Sequence, residues 1–354
     1  MITIDDKNVN DIVLDDKNVI KIQDATTLKV LWEKTTPTPP ENEYFYIENT
    51  YNGNNTITLT TTKYKTPSSN YSTTVQYSKD KENWTNLTFS TSTPKTISMS
   101  IGERVYFRND NGKFNYTDGY NWYYTTFTAT NSHIVGGNIV SLLKYTNMET
   151  FTLTKQGCFE HLFYGDVSLT DSRNLIFPNT TSSYCYADMF ANCRNMITSP
   201  LTLPATTLKD YCYIIMFLNC NKLTTTPNIL ATTLAESCYE GMFTRCTSLT
   251  SAPALPITTL VDRCYNGMFR ECTALTSAPE LPAKVLVRGC YQQMFYGCSS
   301  LKNVTSYANN IDASFCLEGW LDAVAESGTF YNYGSATYPR SGDGIPSGWT
   351  IVKS

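Results

Sequence analysis

The chain has 354 residues, a formal net charge of −4 and only 16% charged residues, against a usual share of about a quarter. With 41% hydrophobic residues it is too apolar for disorder, its slight acidity leaves no footprint for nucleic acid, and two histidines give little material for His-based catalysis. No apolar run approaches the ~20 residues that cross a bilayer, and Met1-Ile2-Thr3-Ile4-Asp5-Asp6 is acidic where an export signal is basic. The expectation is a product made in a cytoplasm, without membrane insertion.

Residues 1–33 read as a small β-meander. Apolar runs at 2–4, 9–14, 19–22 and 28–32 are separated by turn formers at 5–8, 15–18 and 24–27. So short a segment cannot bury enough surface to stand alone, so it is expected to dock on a partner protein, on copies of itself or on the next domain, with Ile2, Ile4, Val13, Ile20, Ile22 and Trp32 as the candidate docking residues. Residues 34–43, with Thr35-Thr36-Pro37-Thr38-Pro39-Pro40, read as a stiff spacer.

Residues 44–145 alternate apolar and hydroxyl side chains in runs at 44–47, 56–60, 73–77, 96–100, 104–107 and 123–128. Turn signals at Asn52-Gly53, Asp110-Asn111-Gly112 and Asp118-Gly119 punctuate them. Six or more such strands predict a β-sandwich. The stretch from Val75 to Trp84 resembles a strand-turn-Trp element of immunoglobulin-like spacer modules, which implies an immunoglobulin-like sandwich.

Residues 146–326 are organised by their cysteines. Cys185, Cys212, Cys238, Cys264, Cys290 and Cys316 follow one another at intervals of 27, 26, 26, 26 and 26, and Cys193, Cys220, Cys246, Cys272 and Cys298 each follow eight residues later. Around them recurs C-Y-x-x-M-F-x-x-C-x-x-L-T-S-A-P, and periods of 20 to 29 with leucines at fixed offsets mark solenoids. Counted from the first Cys, offsets 0, 1, 4, 5 and 8 share one face at 100° per residue, which predicts a short amphipathic helix or helical turn with both thiols inward. Asp210, Glu236 and Asp262 then sit at the helix start, where the dipole favours them. Leu223, Leu249, Leu275 and Leu301 should open a short parallel strand that ends by Pro227, Pro253 and Pro279. The copies at Cys158 and Cys316 are degenerate, with Asp166 and Val324 at the second Cys position, and residues 327–354 are expected to cap the last coil.

Chemistry finds little purchase in this pattern. A Cys-x7-Cys spacing is not that of zinc ligands, which come as close pairs; free thiols buried as small hydrophobes are favoured over disulfides. His133 and His161 lack partners in a catalytic pattern, and no cofactor, metal or catalytic residue is expected. Tyr116, Tyr120, Trp122 and Tyr123 could stack on sugars, although a sandwich edge packed on the solenoid fits them better. The Thr198, Thr225, Ser251 and Ser277 row is uniform, whereas offsets 2, 3, 6 and 7 vary between copies. The varied side is therefore the expected ligand face, with Arg245, Arg270, Glu271 and Tyr296 as the candidate binding residues.

The M-F-x-x-C-x-S-L unit, in five consecutive copies, resembles the BspA-like leucine-rich repeat in its Cys-Tyr-rich form, over roughly residues 155–325. That resemblance implies a right-handed α/β solenoid used for adhesion or recognition on bacterial surfaces and on phages, including phages of the crAss-like gut type. The expected architecture is thus mixed: a β-meander, an immunoglobulin-like sandwich and a leucine-rich-repeat solenoid. The expected role is a non-enzymatic virion appendage, a head fibre, decoration or tail-fibre-like protein. Its expected partners are capsid or fibre-base proteins, a host-surface glycan or protein, and further copies of the chain, a trimer first. A bacterial cell-surface adhesin is the alternative.

Overall fold

The computed structural model describes residues 12–13, 19–20, 43–64, 71–110, 114–117, 122–340 and 343–353. The chain forms two compact units, residues 1–40 and 41–354. In the first, β1 (Ile12–Val13) and β2 (Val19–Ile20) pair antiparallel, with Ile12 opposite Ile20 and Val13 opposite Val19.

The second unit is almost entirely β-strand and turn. It begins with β3 (Phe45–Asn49), β4 (Asn55–Tyr64), β5 (Ser72–Ser78), β6 (Thr85–Ser90), β7 (Lys95–Met99), β8 (Arg104–Arg108), β9 (Tyr116–Thr117), β10 (Trp122–Ala129) and β11 (His133–Asn138). A four-stranded sheet has the order β7-β4-β10-β9. A six-stranded sheet runs β6-β5-β8-β3-β11 and ends on β12 (Leu169–Ile176). Alternation along β4 sends Ile57 and Leu59 to one face and Thr58 and Thr60 to the other, the period of two that a half-buried strand requires. The apolar sides of the two sheets meet: the Phe127 ring of β10 lies edge-on to Phe45 and Phe107 of the other sheet, at 5.7 and 5.0 Å between centroids.

β12 is the link to the repeats. It pairs in parallel with β11, and Ile197 N–H donates to Thr170 C=O, so the six-stranded sheet passes directly into the repeating part. Parallel pairing recurs between β13 (Thr202–Leu203) and β14 (Asn228–Ile229), and among β15 (Asn303–Ser306), β16 (Gly328–Asn332) and β17 (Trp349–Lys353). The last two strands lie in residues 327–354, so this segment adds rungs to the ladder. Trp320, Phe330, Tyr338, Ile345 and Trp349 close the core there, with the indole N–H groups of Trp320 and Trp349 donating to Gly344 and Ala325 C=O.

The expected helices are absent: the described residues contain no α-helix, only two short 3-10 turns at Ile139–Leu142 and Met148–Thr150. The Cys-Tyr-x-x-Met-Phe-x-x-Cys segments are instead chains of tight turns. Every fourth residue takes a positive φ, as at Tyr211, Ile215 and Asn219, then Ser237, Gly241 and Arg245. Alternate N–H groups divide their partners. Those of Cys238, Glu240, Met242, Thr244 and Cys246 donate to the carbonyl three residues back; those of Ser237, Tyr239, Gly241, Phe243 and Arg245 donate to the next repeat, at Asp262, Cys264, Asn266, Met268 and Arg270. An α-helix would keep all these donors to itself. Here half of them tie one repeat to the next.

A period of four places offsets 0, 1, 4, 5 and 8 on one side as well as a helix does, so the inward set is the expected one: Cys, Tyr, Met, Phe and Cys are buried in repeat after repeat. With no helix, the dipole account of Asp210, Glu236 and Asp262 falls; Asp210 Oδ1 accepts the Glu236 N–H of the neighbouring repeat instead. The leucines are buried, yet Leu223 and Leu249 N–H groups donate to Cys220 and Cys246 C=O, which places them in a turn rather than a strand. The prolines do not end the paired segments either. β13 and β14 follow Pro200 and Pro227, because a residue without an N–H fits the lead-in to a pairing better than its interior.

Candidate functional site

The four candidate binding residues on the varied side are brought together across three successive repeats. Arg245 Nε donates to Glu271 Oε2 at 2.7 Å, Arg270 Nε lies 3.3 Å from Glu271 Oε1, and the Arg270 guanidinium sits 5.1 Å from the centre of the Tyr296 ring. Arg270 also donates to Gln293 Oε1 at 3.0 Å. The 26-residue rise sets this spacing, since Arg245 and Glu271 occupy the same offset in adjacent repeats. The Arg245 hydrogen bond holds the Glu271 carboxyl below its usual range. Two guanidinium groups share one carboxylate, so the patch keeps one positive charge beside an aromatic ring. Of the expected docking residues, Val13 and Ile20 lie on the paired strands β1 and β2; Ile2, Ile4, Ile22 and Trp32 fall outside the described residues.

The sequence did not reveal a second cluster, where β10 meets the first two repeats. His161, at offset 3 of the first copy, stands between Glu160 and Asp188: its Nδ1 lies 3.9 Å from Glu160 Oε1 and its Nε2 3.9 Å from Asp188 Oδ2. One donor atom from each of the three can be chosen so that all lie within 4.8 Å of one another. Tyr124 of β10 hydrogen-bonds the Glu160 carboxyl, and its ring lies 4.3 Å from the His161 imidazole. Asn115 Nδ2 donates to Gly157 and Glu160 C=O, fixing the turn that carries Glu160. Burial raises the Glu160 carboxyl to about 8 and the Asp188 carboxyl to about 7, and lowers the His161 imidazole to about 4. Glu160 Oε2 and His161 Nδ1 are buried without a hydrogen-bond partner. Beside the cluster, Trp122 meets Tyr184 edge-on at 5.8 Å, and Tyr184 stacks on Tyr211 at 4.7 Å. Tyr123 is buried and stacked on Tyr71, so it does not face solvent as an aromatic platform would. Tyr120 and the Tyr116 side chain fall outside the described residues.

The other histidine is sealed. His133 Nε2 lies 3.1 Å from Asp166 Oδ2, and both side chains are only 1% exposed. Asp166 occupies the column that other repeats fill with the second cysteine, so the pair substitutes for a thiol where the sheets join the repeats. All twelve cysteines are free and buried. The second-column thiols of Cys193, Cys220, Cys246, Cys272 and Cys298 donate to the phenylalanine carbonyls Phe163, Phe190, Phe217, Phe243 and Phe269 of the repeat before, at 3.0 to 3.2 Å. Burial raises every one of the five pKa values, that of Cys298 to about 12. These thiols are structural, since a nucleophile or ligand thiol needs a stabilised thiolate.

Comparison with protein-family models, with curated proteins and with solved structures finds no match to the chain.

Proposed function

We propose that the protein is a non-enzymatic virion appendage, a head fibre, decoration or tail-fibre-like protein. In this reading residues 1–33 dock onto a capsid or fibre-base protein, an immunoglobulin-like β-sandwich acts as the spacer, and a BspA-like leucine-rich-repeat solenoid recognises a glycan or protein on the host surface. The observation that carries it is the meeting of varied outward residues, Arg245, Arg270, Glu271 and Tyr296, on a rigid array whose inward residues hardly vary. A guanidinium backed by an aromatic ring suits carboxylates and sugar hydroxyls.

Two measurements separate the halves of this reading. Deleting residues 1–33 is expected to abolish incorporation into particles while leaving a folded protein; unchanged incorporation refutes the anchor. Replacing Arg270 and Tyr296 by alanine is expected to reduce binding to host cells at least about tenfold, the scale of a central interface contact. Unchanged binding by the folded variant refutes the recognition face.

A further inference from the structure

We propose that Glu160, His161 and Asp188 form a site for one divalent transition-metal ion of the zinc class, held between the first and second repeats. Nothing in the recurring template requires these residues. At offset 3, where they have His161 and Asp188, later copies carry Ile215, Gly241, Gly267, Gln293 and Gly319. The cluster is therefore peculiar to the end of the stack that meets the sheets.

The donor set selects the ion. One imidazole nitrogen with two carboxylate oxygens suits zinc and its first-row neighbours, whereas calcium and magnesium take shells made of oxygen. Ligand bonds of about 2.1 Å in a tetrahedron separate donor atoms by about 3.4 Å. His161 faces Glu160 with one nitrogen and Asp188 with the other, so one ion takes a single nitrogen; one donor atom from each residue can be chosen with all three within 4.8 Å of one another, and side-chain rotation closes them to the tetrahedral separation. Three protein ligands leave a fourth position for water, and the partial exposure of His161 and Asp188 side chains, 22% and 18%, opens a path for entry.

The surroundings have the features of a prepared site. Glu160 is nine-tenths buried, and one of its oxygens lacks a hydrogen-bond partner, as does the buried Nδ1 of His161. A cation supplies what both lack. Tyr124 orients the Glu160 carboxyl from the second sphere. Gly157 leaves room for that carboxylate, since a Cβ there would lie 2.8 Å from Glu160 Oε2.

The test is titration of the chelator-stripped full chain with Co2+, a spectroscopic stand-in for zinc. Expected are one equivalent bound, the visible bands of a four-coordinate nitrogen-oxygen site, bleaching by one equivalent of Zn2+, and no displacement by millimolar Mg2+. His161→Asn, which tolerates the left-handed backbone at this position, should abolish the bands. Asp188→Asn and Tyr124→Phe should each weaken binding about tenfold or more, with the folded state of every variant checked by circular dichroism. Absence of saturable binding in the wild-type chain overturns the proposal, and so do bands that persist in folded His161→Asn or a response equalled by Mg2+.

Discussion

A cysteine at offset eight answers two demands at once. It fills a small apolar space in the column, and its S–H reaches a phenylalanine carbonyl one repeat away, as Cys246 does to Phe217. Burial raises these thiols far from the thiolate form, so at pH 8 the native protein should resist a thiol reagent. All twelve should react on denaturation without reductant; fewer would show that pairs have oxidised. The tyrosines at offset one have the opposite character. The hydroxyls of Tyr186, Tyr213 and Tyr239 are buried and unbonded, while the first copy carries Phe159 at that position and stacks its ring on Tyr186 at 5.7 Å. Tyr213→Phe is therefore expected to stabilise by about 1 kcal/mol, because it removes a desolvated hydroxyl without emptying the column. Chemical denaturation measures this, and a loss of stability would show that the hydroxyl has a partner.

At the level of the element, the turn ladder replaces the helix that residue periodicity suggested. The pattern of Cys238, Tyr239, Met242, Phe243 and Cys246 cannot separate a period of 3.6 from one of four over nine residues, so the buried face was legible and the backbone was not. What distinguishes the two is the positive φ at every fourth residue. Gly241 and Gly267 hinted at it, but Ile215 and Arg245 adopt it as well, against their usual preference. The pairing after Pro200 and Pro227 was hidden because proline excludes a strand interior without saying which side the strand lies on. Contacts between distant segments, such as His133 with Asp166 or His161 with Tyr124, had no local signal. By contrast, Arg245 and Glu271 meet because they share an offset, which the 26-residue count already contained. That count yields a further expectation. Excision of residues 239–264, one full period, should leave a cooperatively folding protein with a shortened stack, whereas removal of 13 residues should destroy folding, since it puts inward residues outward. Circular dichroism with thermal melting decides, and equal behaviour of the two deletions would refute the ladder.

Across the second unit, one core runs from the facing sheets into the repeats. Phe163, in the first copy, touches Phe45 of β3 on one side and Phe190 of the second copy on the other. Stacked columns of phenylalanine and tyrosine continue from there, with the rings of Phe190, Phe217, Phe243, Phe269 and Phe295 spaced 5.3 to 5.8 Å apart and nearly parallel. Such an array presents its outward residues in fixed register, and many copies on one particle would make weak contacts effective through avidity. We expect a trimer, with a solution mass three times the 39.8 kDa of the chain; a monomer by light scattering would remove that support. The most direct measurement is a reconstruction of virions carrying the full chain. The proposed role predicts density with residues 1–33 at the particle and the repeats projecting outward. Virions that lack the chain, or that hold it by the repeats with the N-terminus free, would contradict it.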